Sequence, residues 1–509
     1  MTSLPVRPAP MPPTLTTGGL LARRAKRSPS APAVVSGDRR VTFAELEDRV
    51  SRAAAVLRDC DVGKGDRVAL LLRNGLEYCE LFYAIGRIGA ICCALNYRLT
   101  GSELGHIVGD CGATILIHEE EFADVARSLS ADTGSLRTLP VAGVEQHLAT
   151  TPPLDAPDAT APGDPLLLVY TSGTTGRPKG AVITHQQLVW ASLTIGHTVD
   201  FRSGDVHLLP APMFHVGGLS FTVHCVHVGA TLVIPPGWNA GQAVDLIAAE
   251  GVNHFFAVPT MIADLLAADS LTKDRLRSVR WIMSGAAPLP ADLVERCMAL
   301  GIPVIQSYGA TETCGPAACM DVDSVARRPG SIGLPFFHTE IRLQRDDGVP
   351  PTAGEQGEIQ VRAPHIFAGY WGNAEATREA FEDGWFRTGD IGYRDDDGYL
   401  FLVDRKSELI ISGGENIYPL EVEQVLESHP AIAEAAVVGL PDPKWGQIVC
   451  AVISCGARTP PSLEEVAAHC LDRLARYKIP RKLVVRDRLI RNATGKVQRG
   501  ALRRELSDD

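Results

Sequence analysis

The sequence lacks any excess of positive charge: 49 Lys and Arg stand against 60 Asp and Glu, a net charge of −11. A nucleic-acid-binding face shows as a basic block or stripe, so the charge balance argues against that class, and solubility is sufficient reason for the acidity. The 12 cysteines never form a CxxC pair, so the spacing of a zinc cluster or a redox motif is missing. In a chain this long they read as reduced, mostly buried thiols, and the expected compartment is the cytoplasm. No apolar run approaches the roughly 20 residues that cross a bilayer, and the N-terminal stretch has no apolar signal-peptide core. Residues 1–17 hold five prolines and few large apolar groups, and read as a disordered leader.

A chain of 509 residues exceeds what one hydrophobic core supports, so two or more domains are expected. Its most informative stretch is Tyr170–Ala181, YTSGTTGRPKGA. An apolar run, Pro165–Tyr170, precedes it and reads as a buried strand. Thr184 and His185 follow it as a helix start before Gln186–Leu193. The stretch contains Gly173, Gly176 and Gly180, the hydroxyls of Thr171, Ser172, Thr174 and Thr175, and Lys179. Glycine lets backbone N–H groups turn toward an anion, hydroxyls add short donors, and lysine adds a mobile positive charge. This is a loop suited to wrapping a polyphosphate. It is not a Walker A loop, because Gly180, and not Ser or Thr, follows Lys179.

Strand and helix patterns alternate from Thr42 onward, opened by a capping box of Thr42 with Glu45. Arg67–Leu72 and Thr114–His118 read as strands. Glu77–Leu95, which includes Cys92 and Cys93, reads as one apolar helix, and Leu129–Asp164 as a surface linker. Phe255–Val258, Val279–Met283 and Pro303–Ser307 are short apolar strands, each ending in a Gly- or Pro-punctuated turn, as does Val206–Pro210. Alternation of this kind implies a parallel sheet covered on both faces. In such sheets ligands sit beyond the carboxyl ends of the strands, so these turns are expected to converge on one site. Short strands between Gly330 and Leu402 suggest a β-rich subdomain. About a hundred residues after Asp404 carry an α+β pattern of their own.

Five blocks in order carry a resemblance: YTSGTTGRPKGA; YGATET at Tyr308–Thr313; GYWGN with DGWFRTGD, from Gly369 to Asp390; LVDRKSELIISGGENIYPLEVE, from Leu402 to Glu423; and NATGKVQR, from Asn492 to Arg499. Together they resemble the adenylate-forming superfamily, in its acyl- and aryl-CoA synthetase branch. The resemblance implies an α/β fold. A large N-terminal domain of parallel α/β sheets with the β-rich subdomain would span residues 18–404. A hinge would follow at 405–408, and a small mobile α+β domain at 409–509.

The resemblance also implies roles. Thr171 to Lys179 would hold the β- and γ-phosphates of ATP. Gly285, Ala286, Ala287 and Tyr308 would enclose the adenine. Thr311 would contact the α-phosphate, and Glu312 would hold Mg²⁺. Asp390, helped by Arg405, would accept the ribose hydroxyls, and Lys496 would reach the carboxylate and α-phosphate. Gly413, Gly414 and Glu415 would line a pantetheine tunnel and Trp445 lie against the CoA nucleotide, while Ser407 would stand at the hinge, where many relatives carry Asp or Lys. The chemistry asks for such a set. A carboxylate attacking a phosphate brings two anions together, and amides, a cation and lysines offset their repulsion.

The acid would be lined by His215, Val216, Gly217, Gly218, Val258, Gly309, Cys314, Gly315 and Pro316, with His215 gating the pocket or packed as a structural residue. His224 and His227 read as structural. With no Lys or Arg for a second carboxylate and no Asp for an amine, dicarboxylic and amino acids are disfavoured. Phe336, if it points inward, shortens the pocket and favours a medium-chain or aromatic acid. The expected reaction is acid activation by ATP with Mg²⁺, then transfer to the CoA thiol, for which the GGENIYP block is suited. Delivery to a carrier protein or an amine stays open, as do activation of an unusual small acid and a homodimer; a non-catalytic ATP-binding relative is opposed by the intact Lys179, Glu312, Asp390 and Lys496.

Overall fold

In the computed structural model, residues 16–154, 160–172, 178–287, 289–345, 347–412, 415–471, 473–491 and 497–507 are described. Contacts divide the chain into two units: residues 1–341 with 361–386, and residues 342–360 with 387–509.

The first unit contains two sheets. One is seven-stranded, in the order Gly369–Tyr370, Pro178–Thr184, Pro165–Ser172, Ile91–Ala94, Arg67–Leu71, Ile115–His118 and Arg137–Pro140. Its inner strands are short, apolar and buried on both faces, as parallel strands under helices must be. The other sheet sets Pro32–Ser36, Thr231–Val233, Val206–Leu208, His254–Ala257, Trp281–Ser284 and Val304–Tyr308 side by side, all parallel. The strands expected to end at one site are therefore neighbours in one sheet, with their carboxyl ends on the same edge.

Three expectations fail. The apolar run 77–95 is not one helix. The helix Leu76–Arg87 stops before Gly89, at φ +73, and Ile91–Ala94 is a central strand, so Cys92 and Cys93 are strand residues with 0% exposure. Both segments are apolar, and only the left-handed glycine divides them. The supposed linker 129–164 holds the end of helix Ala123–Thr133, the edge strand Arg137–Pro140 and helix Val141–Leu148. That strand is mostly exposed, and an edge strand shows no apolar run. Thr16 and Thr17, assigned to the leader, are buried: Thr16 caps helix Thr17–Arg27 and Thr17 hydrogen-bonds the His185 ring at 3.0 Å. The rest of the leader lies outside the described residues.

In the second unit residues 390–394 of the strand Trp385–Arg394 pair antiparallel with Leu400–Arg405. A five-stranded sheet follows, centred on Gly446–Ser454 and Glu434–Asp442. Alternate residues of the latter face opposite cores. Ala435 and Val437 pack with Val422, Leu426 and Val466, whereas Ala436 and Val438 pack with Leu502 and Leu506. The period of two thus buries both faces, one under helices Pro419–Glu427 and Leu463–Leu471, the other under Arg499–Ser507.

Candidate active site

The Tyr170–Ala181 stretch lies on two strands, Pro165–Ser172 and Pro178–Thr184, that pair antiparallel. Thr171 lies opposite Lys179 and Tyr170 opposite Gly180, so Lys179 is a strand residue held in register, not a loop residue. A Cβ on Gly180 would stand 3.0 Å from the Tyr170 ring, so this position needs glycine for close approach. The Tyr170 hydroxyl donates to Asp110 at 2.6 Å, fixing the ring. Gly173, Thr174, Thr175 and Gly176 lie outside the described residues, and the side chain of Ser172 is not described.

Thr311 and Glu312 ride on a turn at 309–315 that closes on itself. Gly315 N–H donates to the Ala310 carbonyl at 3.1 Å, and the Thr313 hydroxyl accepts from Ala310 N–H at 2.8 Å. Cys314 takes φ +52, unusual for a side-chain-bearing residue, and is fully buried; burial and nearby Glu312 push its thiol up. The Glu312 carbonyl accepts from Phe367 N–H at 2.8 Å, and its Oε1 accepts from the Tyr370 hydroxyl at 2.9 Å. The Lys179 ammonium stands 5.4 Å over the same Tyr370 ring. One tyrosine therefore touches the lysine of the first block and the carboxylate of the second.

The strands Trp281–Ser284 and Val304–Tyr308 deliver Gly285 and Tyr308 to the same sheet edge. A Cβ on Gly285 would meet the Ser307 carbonyl at 3.0 Å and the Phe256 ring at 3.1 Å. Ala286 is held at φ +67, a strained conformation of the kind that collects at working sites. Gln306 pins the loop by accepting from Leu289 N–H at 3.0 Å and donating to the Ala287 carbonyl. Ala286 and Ala287 are left exposed.

His215 caps helix Val216–Val228, against the Phe214 ring. Burial, with a smaller contribution from Arg98, lowers its pKa to about 4, and its Nε2 is buried without a hydrogen-bond partner. It is thus a neutral ring with one polar atom unspent. Asn74 holds this turn, donating to the Ala211 carbonyl at 2.9 Å and accepting from Met213 N–H at 2.8 Å. Gly218 packs its Cα against the Pro212 carbonyl, whereas the space over Gly217 is open. Phe336 is 1% exposed and Phe337 is 71% exposed, so the first ring is buried and the second faces solvent. Val258 is half-buried and caps helix Pro259–Leu266. His365 Nε2–H donates to the Pro316 carbonyl at 3.0 Å, tying down that wall.

In the second unit Asp390 and Arg405 are cross-strand partners joined by an ion pair of 2.9 Å, with Asp390 4% exposed. Trp445 is flanked by Arg481 at 4.5 Å and Lys444 at 4.9 Å from its ring. Gly413, Gly414 and Lys496 lie outside the described residues, and the side chains of Ser407 and Glu415 are not described.

Residues 21–371 match the AMP-binding enzyme family, and residues 421–496 match the AMP-binding enzyme C-terminal domain. The chain belongs to the AMP-binding enzyme family. It is 40% identical over 490 residues to feruloyl-CoA synthase of an Amycolatopsis species, covering 96% of this chain and 99% of that one. It is 37% identical over 496 residues to the long-chain-fatty-acid–CoA ligase FadD13 of Mycobacterium tuberculosis, covering 96% and 98%. Among solved structures, O-succinylbenzoate coenzyme A synthetase (MenE) from Bacillus subtilis, in complex with ATP and magnesium ion, superposes with a TM-score of 0.86 at 35% identity, covering 95% and 98%.

Within this AMP-binding enzyme the residues present fit a divalent cation. Among the described residues Glu312 Oε2 has no hydrogen-bond partner, while Oε1 is fixed by Tyr370. No cluster of three His, Cys, Asp or Glu occurs among them, so a cation here would rest on one hard carboxylate together with phosphate and water oxygens, a donor set magnesium accepts. Sequence reasoning missed Tyr370, Asn74 and His365. Tyr370 lies inside the GYWGN block and was open to discovery there. Asn74 and His365 act on turns far along the chain, with no local signal.

Proposed function

We propose that this chain activates a carboxylic acid as its acyl-adenylate and passes the acyl group to the thiol of coenzyme A, releasing AMP. The single observation carrying this reading is the junction of Thr171, Lys179, Tyr370 and Glu312, in a chain of the AMP-binding enzyme family. A cationic lysine and a carboxylate on rigid strands and a closed turn suit a triphosphate with its cation.

Thr171 and Lys179 bind the β- and γ-phosphates, with the glycines and threonines of 173–177. Gly285, Ala286, Ala287 and Tyr308 take the adenine, Thr311 takes the α-phosphate, and Asp390 with Arg405 takes the ribose hydroxyls. Glu312 holds Mg²⁺, which when bound withdraws charge from the phosphate oxygens. The carboxylate substrate is ionised at neutral pH and needs no base. Neutral His215 faces it through the unspent Nε2. Lys496 neutralises the charge gathered at the α-phosphate. Gly413, Gly414 and Glu415 line the thiol's path and Trp445, between two cations, receives the CoA nucleotide. Ser407 lies in the hinge at 405–408, which separates the 18–404 and 409–509 domains.

The acid is aromatic or medium-chain. Supporting this are the buried Phe336 and the small proposed lining residues Val216, Gly217, Gly218, Gly309, Cys314 and Gly315, none of which is a cation. The relative named for feruloyl-CoA points the same way. Among the described residues no helix is long and apolar enough to cross a membrane; the proposed compartment is the cytoplasm.

The test is AMP release and product mass over a panel of carboxylic acids, with and without CoA. An acyl-CoA mass that requires CoA, with benzoate- or cinnamate-sized acids preferred over long chains, supports the reading. Adenylate without a CoA adduct moves the acceptor to a carrier protein or an amine. Lys496→Ala should abolish adenylate formation but spare thioester formation from supplied acyl-adenylate; survival of both half-reactions removes Lys496 from its role.

A further inference from the structure

Tyr370 is fixed from four sides. Its strand, Gly369–Tyr370, pairs antiparallel with Pro178–Thr184, placing Tyr370 opposite Ala181, two residues from Lys179. Flanking bonds extend the pairing: Ala368 N–H to the Val182 carbonyl at 2.9 Å, and Trp371 N–H to the Gly180 carbonyl at 2.8 Å. Tyr370 N–H itself donates to the Thr377 hydroxyl at 2.9 Å. Gly369 allows this at φ +136, where any Cβ would strike Thr377 at 2.6 Å. The Phe367 ring packs edge-on against the Tyr370 ring, 4.9 Å between centroids, and itself packs against Phe381 and Phe386. A side chain braced in this way has little rotamer freedom, so its hydroxyl is a fixed point.

That fixed point meets Glu312, whose backbone is tied to the same segment through Phe367. A glutamate has three side-chain torsions, and ordering them costs entropy whenever a ligand requires one geometry. A donor already on Oε1 removes part of that cost in advance, while Oε2 has no hydrogen-bond partner among the described residues. The ring face holds the Lys179 ammonium at 5.4 Å, acting on the second group by a separate interaction. Hydroxyl and ring thus serve two groups that arrive from different sheets.

We infer that Tyr370 is a positioning residue, whose hydroxyl presents Glu312 to the divalent cation and whose ring holds Lys179 for the polyphosphate. This rests on the roles proposed above for Glu312 and Lys179. It divides one side chain into two separable contributions, which two substitutions distinguish. Tyr370→Phe keeps the ring and removes the hydroxyl. Tyr370→Leu removes both.

The test uses the full chain, with Mn²⁺ as the spectroscopic cation. Mn²⁺ affinity at saturating ATP is read by electron paramagnetic resonance, and ATP affinity in EDTA by calorimetry. Removing a group that orients a metal ligand typically weakens metal binding by about 10- to 100-fold. Tyr370→Phe should therefore raise the Mn²⁺ dissociation constant roughly tenfold, leaving metal-free ATP binding within about twofold of the parent. Tyr370→Leu should in addition weaken metal-free ATP binding by about two- to fivefold, the worth of an exposed cation–π contact. Glu312→Gln is the reference arm. If it binds Mn²⁺ like the parent, the assignment of Glu312 fails. If it loses Mn²⁺ while Tyr370→Phe does not, that assignment stands and the role of Tyr370 is overturned. Equal loss of Mn²⁺ and metal-free ATP binding in Tyr370→Phe, or a lowered thermal midpoint accounting for both, would reduce Tyr370 to a structural residue and overturn the inference as well.

Discussion

Replacing Gly309 with alanine should separate activity from folding. A Cβ at this position would lie 1.5 Å from the Gly315 carbonyl oxygen and 2.7 Å from its carbon. Non-bonded carbon contacts are comfortable at about 3.5 Å or more, so the two strands of the turn must part by roughly 2 Å. Both partners are backbone, and no side-chain rotation relieves the clash. The cost is wholly steric, because Gly309 is absent from the positive-φ residues. Opening the turn breaks the bonds joining Thr313 to Ala310 and Gly315 and displaces Thr311 and Glu312 together. Overpacking of this kind costs about 1–3 kcal/mol, a fall of a few degrees in thermal midpoint. A misplacement of about 1 Å at reacting groups costs on the order of 100-fold in rate, so kcat/KM for acid-dependent ATP–pyrophosphate exchange should fall at least that far. Two neighbouring glycines provide the comparison. Gly218→Ala, whose Cβ would lie 2.4 Å from the Pro212 carbonyl, should fail similarly by moving the His215 turn, whereas Gly217→Ala, with nothing within 4 Å, should fold as the parent does. A Gly309→Ala chain retaining more than a third of parental exchange would refute the reasoning.

Acid should weaken the fold, and His365 allows the sign to be checked. It is fully buried, and burial lowers its pKa to about 4. Its folded pKa lies below the unfolded value near 6.5, so the unfolded chain binds the proton first. The stabilisation is complete above about pH 6.5 and is lost as pH falls toward 4. His365→Gln, which keeps a donor for the Pro316 carbonyl, should flatten the pH dependence of urea unfolding between pH 5 and 6 by about 1.4 kcal/mol per pH unit; an unchanged slope would show that His365 does not titrate this way. In the second unit, Arg499 forms a largely buried double ion pair with Glu423, at 2.5 and 2.7 Å, and a further one with Glu408. Arg499→Leu alone should destabilise that unit by about 3–5 kcal/mol by removing the cation shared by two carboxylates. Adding Glu408→Leu, which removes one uncompensated charge and leaves the Val437 N–H its acceptor on Glu423, should restore part of it. Urea unfolding reads both variants, and equal losses in the single and double variants would contradict the account.

The sequence by itself determined what local chemistry can write. Short apolar runs ending in Gly- or Pro-rich turns marked parallel strands with a common working edge, and those strands are neighbours in one sheet. Five ordered blocks led to the AMP-binding enzyme family. What the sequence could not write is anything set by neighbours distant in the chain. The division of 77–95 into helix and strand depended on Gly89 at φ +73, which apolar periodicity does not register. The edge strand Arg137–Pro140 exists because Ile115–His118 offers it hydrogen bonds, not because its residues are apolar. Lys179 and Glu312 carry equal weight as letters in two motifs. Only the pairing of Gly369–Tyr370 with Pro178–Thr184 brings one phenol to both. A hydrogen bond and a cation–π contact are short-ranged, so which groups share them is decided by the fold, and that sharing makes two separate motifs into one site.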